Sequence, residues 1–131
     1  MARGMNILGI PLRYDPNMKT IAESRGLWPF KAVYLGPQLP CFPPREQQAF
    51  LLHEAGHCML FHLEKRIANL WRLVWPPAFF RYLRMQELQA DRFVAHCGYG
   101  EDLARGFERI IPTQSVFHPP ISERVARLRQ A

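Results

Sequence analysis

The run His53-Glu54-Ala55-Gly56-His57 holds the residues whose types and spacing could most directly do chemistry. On a helix, residues four apart are rotated by about 400°, so both imidazoles leave the same face one turn apart. Two neutral nitrogens placed this way can take two corners of a tetrahedral Zn2+ site. Glu54, next to His53, points past such an ion rather than at it. That suits a base taking a proton from metal-activated water. His62 follows in the same apolar stretch, nine residues after His53 and so about 900° around. It should project from the opposite side of the helix, away from the metal, unless the helix has ended before it.

A catalytic zinc needs a third protein ligand and keeps its fourth place for water. The stretch "QELQADRF" supplies Glu87, with Asp91 one turn later on the same face. Glu87 would bind the ion. Asp91 could accept a hydrogen bond from a liganding imidazole and fix its tautomer. His96 is the competing ligand, but it lies half a turn away from Glu87, and both cannot reach one ion from a straight helix. Glu87 is preferred because it brings its own supporting carboxylate.

The elements that must position these groups are legible in outline. Residues 5–40 carry β-prone pieces, "MNILGIPLRY", "KTIAES" and "KAVYLG", separated by Asp15-Pro16-Asn17, Gly26, Pro29 and Gly36-Pro37. They predict a small sheet of about three strands. Pro44 and Glu46 suit the first turn of a helix running from 44 to about 65 and ending in Lys65-Arg66. Gly56 in its middle is costly, which predicts close approach of another backbone near the metal. A second long helix fits 78–97, closed by Gly98. A short helix over "EDLARGFERI", a loop over "IPTQSVFHPP" and a last helix from about Pro120 complete the chain. The fold class is therefore α+β, and residues 1–131 are expected to form one domain.

Three ordered blocks carry a family resemblance: H-E-x-x-H at 53–57, E-x-x-A-D at 87–91, and "HPPISERVARL" at 118–128. The chain resembles the gluzincin zinc metallopeptidases, in the group of the CAAX prenyl proteases and membrane heat-shock proteases. Members of that group usually carry membrane helices around these blocks. This chain has none, so it looks closer to the small forms called minigluzincins. The resemblance implies a zincin-like fold and a zinc endopeptidase acting on protein or peptide substrates. Glu87 would be the third ligand and Asp91 would lie in the shell behind it. It also draws attention to His118 as a donor to the developing oxyanion. The plainer reading of that segment is a loop that starts the last helix, with Arg124 anchoring it by a salt bridge. Tyr82 and Tyr99 are weaker donor candidates, since nothing in the sequence orients them.

Composition bounds the alternatives. No run of 18 or more apolar residues occurs, so no transmembrane segment is expected. The N-terminus lacks the apolar core of a signal peptide. The cysteines Cys41, Cys58 and Cys97 have no paired spacing and read as reduced, buried thiols, which makes the cytoplasm the expected location. A net charge of +6 rests almost wholly on arginines spread at helical-face spacing. They read as a solvated surface, and nucleic acid is not the expected partner. The connector "IANLWRLVWPPAFFRY" interleaves Trp, Phe and Arg, so residues 67–83 offer a surface for peripheral membrane or client contact. A catalytically inactive, zinc-stabilised interaction module and a regulatory nucleic-acid-binding protein are the competing classes. In zincins an edge strand above the metal pairs with extended substrate, and "KTIAES" or "KAVYLG" would serve.

Overall fold

The computed structural model describes residues 5–110 and 119–130. The N-terminal third forms four strands: β1 (Asn6–Ile7), β2 (Ile10–Tyr14), β3 (Ala22–Arg25) and β4 (Ala32–Leu35). The expected first strand is thus a hairpin. Leu8 and Gly9 both take positive φ, 53° and 81°, which is what a two-residue turn between antiparallel strands requires. The sheet order is β1-β2-β4-β3, with β2 and β4 parallel and the other pairs antiparallel. This leaves β3 as an edge and buries β4 in the middle. "KAVYLG" is therefore excluded as a substrate-pairing edge, while the strand from "KTIAES" stays available.

Helix α1 (Pro44–Met59) starts at the predicted proline but stops well short of residue 65. Phe61 adopts a left-handed conformation, φ 56°, and a separate helix α2 (His62–Ala68) begins there. No glycine or proline marks this break. Lys31, just before β4, holds it instead. Its ammonium bonds the Cys58 carbonyl at 2.6 Å, lies 3.7 Å from the centroid of the Phe61 ring, and pairs with Glu64 of α2 at 3.0 Å. A cation at the exposed carbonyls of a helix C-terminus is the favourable sign. Beyond α2, a 3-10 turn at Leu70–Val74 leads into α3 (Pro76–His96). Gly98, at φ 88°, follows its C-terminus as expected.

Helices α4 (Gly100–Arg109) and α5 (Ile121–Gln130) close the structure. One apolar cluster joins the layers: Ile7, Ile10 and Val33 from the sheet, Phe50, Leu52 and Ala55 from α1, and Val94, Leu103, Phe107 and Leu128 from the later helices. Helix α1 lies at its centre, which is why it is apolar on most sides. Where α1 meets α3, a β-carbon on Gly56 would sit 3.1 Å from the Phe93 ring. The close neighbour of Gly56 is thus an aromatic side chain, and the expectation of a second backbone there is corrected. Cys58 is buried, but Cys41 and Cys97 are exposed free thiols, which corrects the reading of all three as buried.

Candidate metal centre

Helices α1 and α3 converge on one buried point. His53 and His57 leave α1 one turn apart, and Glu87 faces them from α3; the three are 5–6 % exposed. The Nε2 atoms of the two histidines are 3.2 Å apart. Glu87 Oε1 lies 3.1 Å from His53 Nε2, and Oε2 lies 3.1 Å from His57 Nε2. Among the described residues, this trio is the one group of His, Cys, Asp and Glu atoms gathered closely enough to hold an ion. Bonds of about 2.0–2.2 Å at a tetrahedral zinc place neighbouring corners about 3.3–3.6 Å apart. The two imidazole nitrogens, 3.2 Å apart, are close to that spacing, and one oxygen of Glu87 lies within 4.8 Å of both. Size and donor chemistry both fit Zn2+.

The groups behind the triangle explain its geometry. His53 Nδ1 lies 2.9 Å from Asp91 Oδ1, an ion-pair contact without hydrogen-bond alignment, so charge ties this ring to Asp91. Asp91 is itself held by Arg124 of α5 through two bonds, Nε to Oδ2 at 2.7 Å and Nη2 to Oδ1 at 2.8 Å. Burial pushes the Asp91 carboxyl up, but Arg124 and His53 outweigh it and hold it below the ordinary carboxylate range. Burial likewise opposes charge on His53, yet Asp91 and Glu87 prevail and push its pKa up to about 10. A proton here stands where the electrostatics call for a cation.

Glu54 sits at the edge of this cluster. Its Oε2 is 3.9 Å from His53 Nε2, and its Oε1 accepts a 2.9 Å bond from the Ser24 backbone N–H on β3. Burial, with the nearby charge of Glu87 adding, raises its carboxyl above the usual range against the pull of the two histidines. That shift moves a carboxylate toward the pKa of a useful base. Ser24 had no signal in the sequence, since nothing there tells which edge strand crosses the helix. An open cleft of about 460 Å³ adjoins these groups, lined by Thr20–Ala22 on one side and Phe107, Ile110 and Ile121 on the other, with His53, Glu54, Glu87 and Arg124 at its base.

His62 meets the condition that the sequence left open. The helix has ended before it, and its ring turns back so that Nδ1 lies 2.8 Å from His57 Nδ1. Burial pushes its imidazole down to about 4, so it is neutral. His96 is exposed in the last turn of α3, away from the trio. Tyr82 accepts a 3.4 Å bond from Asn69, and Tyr99 lies under the Arg45 guanidinium, so neither faces the cleft. His118 lies outside the described residues. Arg124 does anchor the last helix by an ion pair, but its partner, Asp91, was not legible in the sequence.

With this arrangement in view, the comparison with known families is decisive at one level. Residues 62–131, just over half the chain, match the model of peptidase family M48, and the protein belongs to that family. Membership makes it a metallopeptidase-class hydrolase, and members of the family generally depend on zinc. Glu87 and Asp91 lie inside the matched segment, while the HEAGH run lies just ahead of it. No curated protein and no solved structure gives a significant match.

The Arg124–Asp91 pair is deeply buried, and removing one partner strands the other's charge. Arg124→Met is expected to destabilise the protein by about 3–5 kcal/mol, read from urea unfolding at constant zinc. A loss below about 1 kcal/mol, the range of a surface pair, would show that Asp91 does not depend on Arg124.

Proposed function

We propose that the protein is a zinc-dependent endopeptidase of gluzincin type on a minimal zincin-like fold. The observation that carries this reading is the convergence of His53 Nε2, His57 Nε2 and the Glu87 carboxylate on one point, with Glu54 beside it at the base of an open cleft. His53, His57 and Glu87 would hold the ion. When bound, zinc supplies Lewis-acid chemistry, polarising a carbonyl oxygen and acidifying a neighbouring water. Glu54 takes the proton of the attacking water and passes it to the leaving amine, and the Ser24 N–H fixes the carboxylate for that work. Asp91 holds the His53 ring by charge. On sequence grounds His118 is assigned as donor to the developing oxyanion. The three sequence blocks support placing the chain near the CAAX and heat-shock proteases, in a minigluzincin-like form.

Extended substrate would pair with the outer edge of β3. Because Ser24 turns its N–H outward to Glu54, the period of the strand turns Ala22 outward too, on the wall of the cleft. An anionic bilayer is proposed as a peripheral partner. From residue 65 to 86 the sequence has five cations and no acid. The same segment exposes Ile67, Leu70, Trp71, Leu73, Val74 and Trp75, and no helix among the described residues is long and apolar enough to cross a membrane. Trp with basic residues is the pattern of interfacial attachment. Nucleic acid is disfavoured, since Arg25, Arg45, Arg109 and Arg129 are each occupied by carboxylates. Its free thiols fit a reducing compartment such as the cytoplasm.

The central test is cleavage of a quenched-peptide library with and without a chelator, beside elemental analysis. Glu54→Gln should keep zinc and fold while losing on the order of 10²–10⁴ in kcat; Glu87→Ala should lose zinc. A full zinc complement in Glu87→Ala would remove it from the ligand set, chelator-insensitive cleavage would overturn metal dependence, and absent cleavage would leave the inactive interaction module. Ala22→Pro, which deletes one outward N–H without touching the β4 ladder, should raise KM more than it lowers kcat. Peptide kinetics equal to wild type would exclude pairing at that edge. Sedimentation with phosphatidylglycerol vesicles should fall with added salt and in the double variant Trp71→Ser, Trp75→Ser; no sedimentation at low salt would exclude the bilayer.

A further inference from the structure

We propose that His62 and Gln89 form a positioning relay that sets the tautomer of His57 and aims its Nε2 at the metal. The inference rests on the reading of His57 as a zinc ligand and adds His62, beyond the HExxH motif, and Gln89, at a position the ExxxD pattern leaves unspecified. His62 is fully buried, yet neither of its ring nitrogens is spare. Nδ1 lies 2.8 Å from His57 Nδ1, and Nε2 lies 2.9 Å from Gln89 Oε1. Both are engaged, so His62 is not itself a ligand in waiting.

The direction of the chain follows from its far end. The Gln89 carbonyl oxygen can only accept, so His62 Nε2–H donates to it. With one proton on the ring, His62 Nδ1 is then an acceptor. The facing Nδ1 of His57 must supply the proton between them, which strips His57 Nε2 of hydrogen and points a lone pair toward Glu87 and His53. Asp91 lies 2.9 Å from His53 Nδ1 on the opposite side and holds that ring by charge. The two imidazoles are thus oriented by different means, one by a charged carboxylate and one by a neutral chain ending in an amide. Were the amide reversed, with its NH2 toward His62, every bond would reverse. The proton would fall on His57 Nε2, where it would block an ion.

The fold keeps this relay in register. Gln86, one turn before Gln89 on α3, donates to the His62 carbonyl at 3.1 Å and accepts from Arg66. Helix α2 is thereby latched to the helix that carries Glu87. The left-handed Phe61 is what swings His62 back, and Lys31 clamps that elbow from the sheet. Supporting partners of this kind change metal affinity by about 10–100-fold.

The experiment measures the zinc dissociation constant by chelator competition for wild type, His62→Phe, Gln89→Leu and His57→Ala. It is joined to ring 15N NMR of the zinc-loaded wild type. The relay predicts about 10–100-fold weaker zinc binding for His62→Phe and about 10-fold for Gln89→Leu, both with native circular dichroism. It also predicts His62 protonated on Nε2 and His57 on Nδ1. Gln89 is only half-buried, so its variant decides the matter should His62→Phe fail to fold. Wild-type zinc affinity in His57→Ala overturns the ligand reading and the relay together. Loss in His57→Ala with wild-type affinity in Gln89→Leu, or His62 protonated on Nδ1 alone, overturns the relay and leaves the ligand reading standing.

Discussion

Three electron-pair donors, two imidazole nitrogens and a carboxylate, are packed within 3.1–3.2 Å of one another where solvent barely reaches. Bare donors at that distance repel unless a cation or a proton sits among them, and burial removes the water that would otherwise screen them. Much of the surrounding architecture answers this constraint. Asp91 and Arg124 form a buried ion pair behind His53, so the carboxylate that orients the ring does not sit there as an uncompensated charge. Arg124 also comes within 3.5 Å of Glu87, and its guanidinium stacks 4.3 Å from the Phe107 ring centroid. The last helix, far from the first histidine in sequence, is thus tied electrostatically to the same cluster.

The site is asymmetric, and the asymmetry assigns work. On the side of α5, fixed charge and a bidentate pair hold His53. On the side of α2, neutral groups hold His57. Between them and the cleft stands Glu54, whose carboxylate is bonded on one oxygen to the edge strand. This last contact couples Glu54 to the exposed edge of β3 through one backbone N–H. A shift of that strand would therefore also move the partner of Glu54. Family M48 membership and this geometry meet in the same reading, although the family match begins after the HEAGH run and reaches the site through Glu87 and Asp91.

The connection between α1 and α2 illustrates how a local departure from regular structure serves the centre. A non-glycine residue in the left-handed region costs on the order of 1–2 kcal/mol, and here the cost falls on Phe61, one residue before a buried histidine. Continued as one helix, the chain would have carried His62 away from His57. Lys31 offsets part of the strain by satisfying a helix-terminal carbonyl, facing the Phe61 ring and pairing with Glu64. Lys31, just ahead of a strand, thereby influences the position of His57, a ring it never touches.

Helix periodicity was enough to put His53 and His57 on one face and Glu87 and Asp91 on another, because those relations are internal to single helices and need no knowledge of packing. The start of α1 at Pro44, the cap at Gly98 and the α+β class were legible for the same reason. Everything that joins one element to another was decided by the tertiary structure. The β1–β2 turn, the central place of β4, the Ser24 bond to Glu54, the pairing of Arg124 with Asp91 and the return of His62 to His57 all depend on contacts between residues distant in sequence or on a backbone break that no residue type announced. Spacing determines which side chains share a face; only the packed core determines what that face meets.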